Sequence, residues 1–175
     1  KLFTSAFLGI VAVMPFVFPF LVNEAYNEAY GLIPIYMLAS VTNASVSLIS
    51  VVYTVDLASK EIAKTTVFAG IINIIAHFIL IRFIGLYAAP VSSAIAYCVM
   101  TVYRYIDGRK RYKFSFDMKF IVSAIVLFAA VCACYYSRIL WLQGVALLLT
   151  VVYCVYVNRK VLFDLKSCAK SIIKK

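Results

Sequence analysis

Six apolar runs, each near the length that crosses a bilayer and each closed by a short polar connector, constrain this chain more than any other feature. A helix spans the hydrocarbon core with about 20 apolar residues, in a range of about 17–25. The runs extend from Leu2 to Val22, Leu32 to Val55, Thr65 to Ile81, Leu86 to Tyr103, Phe120 to Ser137 and Ile139 to Val157. Between them nothing the size of a soluble domain remains. Only 14% of the residues are charged and 65% are apolar, against about 25% charged in soluble domains, which excludes an ordinary soluble globule and a disordered chain. The expected fold is therefore all-α, an integral membrane bundle of six transmembrane helices.

The formal net charge of +10 could point to nucleic acid, but the charges sit between the apolar runs, as they do in membrane proteins. Lys1, Lys60, Lys64, Arg104, Arg109, Lys110, Arg111, Lys113, Lys119, Arg159, Lys160, Lys166, Lys170, Lys174 and Lys175 fall on one set of connectors and ends. Only Arg82 and Arg138 fall on the other. Basic residues are retained on the cytoplasmic side, so both ends of the chain are expected there, with the tandem NEAY connector, Asn23 to Tyr30, outside. The connector from Asp107 to Lys113 reads as a topogenic loop resting near anionic headgroups. Membrane lipids are thus the expected partners, and nucleic acid is not. The chain opens Lys1-Leu2-Phe3 without an initiator methionine, so it reads as a region of a longer protein. Its first run is too long for a signal peptide and lacks a small-residue cleavage site.

Four cysteines, Cys98, Cys132, Cys134 and Cys154, lie inside apolar runs and read as small buried hydrophobes. The C-x-C pair stands about 200° apart on a helix and cannot pinch one metal. There is one histidine, no nucleophile beside a base and no glycine-rich phosphate loop, so no catalytic, cofactor-binding or metal-binding residues are assigned.

Polar residues in the spans follow helical spacing. Tyr36, Ser40, Asn43, Ser47, Ser50 and Thr54 recur at intervals of three and four, as do Thr66, Gly70, Asn73 and His77. Such stripes are costly in lipid and must face other helices or water. They serve either interhelical hydrogen bonding or the wall of a transport path, for which Asn43, Ser47, Ser50, Asn73 and His77 are the candidates. Histidine changes charge near neutral pH, so His77 either relays a proton or is a buried neutral ring. Gly70, Gly85, Ala89, Ser93 and Ala96 are candidate helix-packing residues, since small side chains let helices approach. Arg82-Phe83-Ile84-Gly85-Leu86 is expected to form a short turn making the third and fourth runs an antiparallel hairpin. Pro15 and Pro19 are expected to kink the first run. The last two runs carry few polar residues and are expected to be peripheral.

The segment KTTVFAGIINIIAHFILIRFIGLYAAPVSSAIAYCVMTVYR, from Lys64, resembles the C-terminal region of the Wzx-type polysaccharide and O-antigen flippases of the multidrug/oligosaccharidyl-lipid/polysaccharide (MOP) superfamily. That family shows a pattern close to a-G-I-I-N-I-I-L-N-x-x-L-I-P-x-x-G-x-x-G-A-A-x-A-T-x-I-S-Y. Gly70, Asn73, Leu80, Ile81, Gly85, Ala88, Ala89, Ser93, Ile95, Ala96 and Tyr97 occupy matching places. His77, Arg82 and Tyr87 depart from it, standing where the family has Asn, Pro and Gly. The resemblance implies that residues 1–119 form a four-helix part of a transporter's C-terminal lobe, 120–157 two terminal helices and 158–175 a basic cytoplasmic tail. It further implies transport of undecaprenyl-pyrophosphate-linked oligosaccharide across a bacterial inner membrane by alternating access, for lipopolysaccharide and surface polysaccharide biosynthesis. The implied partners are that lipid-linked oligosaccharide, an N-terminal lobe of the same transporter and other polysaccharide-assembly proteins. A multidrug extruder of the same superfamily, a non-transporting membrane scaffold and a membrane acyl- or glycosyltransferase fragment are the competing readings.

Overall fold

The computed structural model describes residues 1–111, 117–159 and 161. Residues 112–116 of the basic connector, and 160 and 162–175 of the expected basic tail, lie outside the described residues. The described chain is helical: α1 (Leu2–Leu21), α2 (Ala29–Val55), α3 (Ser59–Ile84), α4 (Ala88–Arg111), α5 (Met118–Ser137) and α6 (Leu140–Val157), with 3-10 turns at Glu24–Tyr26 and Gly85–Tyr87. Five helical stretches are long and apolar enough to cross a membrane, the third being the continuous run Ser59–Arg109 that holds both α3 and α4. The chain is a multi-pass membrane protein by this measure.

The helices overrun their apolar runs at the basic ends. α3 starts at Ser59, six residues before the expected Thr65, and α4 continues past Tyr103 to Arg111. Apolar length marks only the part of a helix in contact with hydrocarbon, whereas the backbone ladder continues through charged turns. At the start of α3 the Lys64 ammonium lies 3.1 Å from Glu61 Oε1 in a spacing of three residues, a pairing that supports an exposed helical turn. α1 stays helical through Pro15 and Pro19.

The chain divides into two compact units, one of Lys1–Ala25 with the segment from Met118 onward, the other of Tyr26–Asp117. This differs from the expected division at residue 119, because α1 groups with α5 and α6 rather than with the helices that follow it. α1 packs against both α6 and α5, and polar contacts add to that packing. Gln143 and Thr150 are buried, Ser123 Oγ and Tyr153 Oη lie 2.9 Å apart, and Asn158 Nδ2 donates to Ser5 Oγ of α1 at 2.7 Å. Lys1 stands 5.4 Å from the centre of the Phe120 ring. The start of α1, the start of α5 and the end of α6 therefore share one end of this unit.

In the second unit α2 and α3 both pack on α4 and touch each other little. α4 is central because one of its lines is mostly narrow. Ala88, Ser92, Ala96, Met100, Arg104 and Gly108 are all buried and recur every fourth residue, so two helices approach it closely. Val46, Ala69 and Met100 form its buried cluster, with Tyr97 packed against them. The turn between α3 and α4 is made at Gly85, whose φ of +52° is a conformation that side-chain-bearing residues rarely adopt. At that end the Tyr87 hydroxyl occupies the place where a Cβ on Gly31 would stand, with the ring carbon bearing it 3.2 Å away. The start of α2 and the α3–α4 turn thus share one end, and α2 and α3 run antiparallel.

Candidate functional site

The polar stripe of α2 is less polar than its sequence reads. Ser40, Ser47, Ser50 and Thr54 each turn the hydroxyl back to the carbonyl four residues earlier, on Tyr36, Asn43, Val46 and Ser50, at 2.9, 3.1, 2.6 and 3.2 Å. A hydroxyl that donates within its own helix does not demand a partner across a bundle. The side chains of Asn43, Asn73 and His77 differ from these, since they make no hydrogen bond to the described residues. Asn43 is exposed and Asn73 and His77 are half-buried.

Helical geometry puts these three groups on one side of the unit. Asn43 and Ser47 lie about 60° and 100° around α2 from buried Val46, and Asn73 and His77 about 40° and 80° around α3 from buried Ala69, in the same rotational sense. The helices are antiparallel and both turn their buried lines to α4, so equal rotations bring the two stripes out on the same side.

The stripes are joined at their ends by a residue that the hydropathy pattern assigns to a connector. Arg104 of α4 is 3% exposed. Its Nε donates to Thr65 Oγ1 at 3.0 Å, and its Nη2 donates to Thr65 Oγ1, Thr66 Oγ1 and the Ile62 carbonyl at 2.8, 3.0 and 3.1 Å. Nη1 donates to Ser50 Oγ of α2. The three hydroxyls that accept from it pass their own protons to the carbonyls of Val46, Glu61 and Ile62, so each both accepts and donates. Tyr53 Oη completes the junction, donating to Asp107 Oδ2 at 2.9 Å and lying 3.3 Å from the Arg104 carbonyl. Among the described residues no carboxylate lies within ion-pair distance of the guanidinium. Arg104 is held by neutral acceptors from two helices, an arrangement suited to its fork of five donors.

Of the expected path residues, the structure brings Ser50 to α3 through Arg104, while Asn43, Ser47, Asn73 and His77 stand along the two stripes beyond it. Of the expected packing residues, Ala96 is buried at 2% exposure, and Ala89 and Ser93 are half-buried beside the line that carries the contact. Gly70 is not a close-approach residue within its unit. It is exposed with nothing within 4 Å of a Cβ position, because the packed line of α3 runs through Thr65 and Ala69 and Gly70 lies about 100° away. Gly85 is likewise exposed and serves the turn rather than a helix contact. Sequence reasoning missed Arg104, yet its signal was present in the four-residue spacing that continues Ser92, Ala96 and Met100. Among the described residues no three His, Cys, Asp or Glu side chains gather into a metal-binding group. Comparison of the chain with known protein families, with curated proteins and with solved structures finds no match.

Proposed function

We propose that this chain is part of a flippase that moves undecaprenyl-pyrophosphate-linked oligosaccharide across the bacterial cytoplasmic membrane by alternating access. On this reading α1 to α6 are six spans with both ends of the chain cytoplasmic, and they form the C-terminal part of a MOP-superfamily transporter that works with an N-terminal lobe. The observation that carries the reading is the set Asn43, Asn73 and His77, three polar groups on one side of an apolar unit without a hydrogen-bond partner among the described residues. Unsatisfied groups of this kind are costly in hydrocarbon, and a hydrated path for a sugar supplies what they lack. The lipid tail of such a cargo stays in the bilayer while the sugar crosses along polar side chains. The family resemblance around Asn73 supports the cargo class.

The test replaces Asn73 and His77 together with leucine in the full-length protein. Export of the lipid-linked oligosaccharide is expected to fall about tenfold or more, equivalent to roughly 1.4 kcal/mol of lost polar stabilisation, with insertion unchanged. His77→Asn, which restores the residue typical of the resembling family, is expected to keep export. Undiminished export in the double leucine variant would remove the path assignment.

A further inference from the structure

Arg104 stands where the two polar stripes meet. It binds Ser50, a member of the α2 stripe, and Thr66, a member of the α3 stripe, besides Thr65. α2 and α3 have little direct contact with each other, each leaning on α4. Asn43 and Asn73 lie seven residues from Ser50 and Thr66 respectively, so each stands about 10 Å along its helix from the residue that binds the guanidinium, at a matching depth. The end that Arg104 occupies is the basic one, carrying Lys60 and Lys64 on α3 and Arg109 on α4.

We infer that Arg104 is a latch that closes the basic end of the groove between α2 and α3, and that its release from Ser50, Thr65 and Thr66 opens that end. Two features fit a latch better than a permanent rivet. The acceptors are hydroxyls and a carbonyl rather than a carboxylate, so no ion pair has to be broken for the guanidinium to leave. Each hydroxyl also keeps its bond to its own helix when Arg104 departs, so an open state strands no donor on α2 or α3. The guanidinium is carried by α4, the helix on which both others pack, so its departure releases Ser50 of α2 and Thr65 and Thr66 of α3 together, while Tyr53 keeps α2 tied to α4 through Asp107. The inference rests on the reading of the stripes as a hydrated path and adds where that path is shut.

The experiment uses the full-length protein in membranes, with its native cysteines replaced by serine and a single Asn43→Cys or Asn73→Cys introduced. A membrane-impermeant maleimide is applied from the outer face in spheroplasts and from the inner face in inverted vesicles. With Arg104 present, both positions are expected to react mainly from the outside. Arg104→Gln is expected to raise inner-face labelling several-fold while outer-face labelling persists, which also shows that the variant is inserted and folded. Unchanged inner-face labelling in Arg104→Gln, with outer labelling intact, would overturn the latch and leave the path standing. If neither position reacts from outside when Arg104 is present, the path and the latch both fall.

Discussion

Replacing Thr65 with valine is expected to lower the unfolding free energy by about 2–4 kcal/mol, and replacing Arg104 with methionine by less, about 1–2 kcal/mol. The order is the informative part. Thr65→Val keeps the shape of the side chain but deletes the oxygen that accepts from both Nε and Nη2, leaving a buried cation short of acceptors, and such groups bear the full cost of lost hydration. Arg104→Met removes the five donor contacts but also the cation whose burial they offset, and the hydroxyls of Ser50, Thr65 and Thr66 keep their bonds within α2 and α3. Denaturant titration of the purified protein in micelles, followed by helical signal, measures both. A larger loss for Arg104→Met than for Thr65→Val would contradict the description of the junction.

Ala96→Phe is expected to be the most damaging single change on α4, costing about 3 kcal/mol. Ala96 is 2% exposed on the line along which α4 receives its neighbours, and a ring there forces helices apart that small residues bring together. The comparison is Gly70→Ala, where an added methyl meets nothing within 4 Å and higher helix propensity is worth up to about 1 kcal/mol. Thermal unfolding of the two variants side by side is expected to show a fall for the first and no fall for the second. Destabilisation by Gly70→Ala would mean that Gly70 lies in a close helix contact.

What could be read in the sequence was what depends on local chemistry. Apolar length located the long helices of the described residues, Gly85 located the turn of the hairpin, and small-residue spacing located Ala96. The missing parts depend on which side chains meet. Hydropathy places Arg104 with Arg109 and Lys110 as a loop charge, because a window average has no knowledge that three hydroxyls and a carbonyl will surround it. The serines and threonines of α2 read as a hydrogen-bonding surface, but their donors are spent on their own helix, which only geometry reveals. The last two runs, with few polar residues, read as peripheral, yet Gln143 and Thr150 within them are buried. The stripes themselves were legible, since period alone sets which residues share a face, and the three groups without a hydrogen-bond partner among the described residues were among those named as path residues.

The measurement closest to the central claim, the proposed flippase role, is made in the organism whose genome encodes this chain. Deleting it is expected to abolish surface polysaccharide and to accumulate lipid-linked oligosaccharide on the cytoplasmic leaflet, with both reversed by re-expression. A deletion strain whose surface polysaccharide and lipid-linked pool are unchanged would contradict the flippase reading.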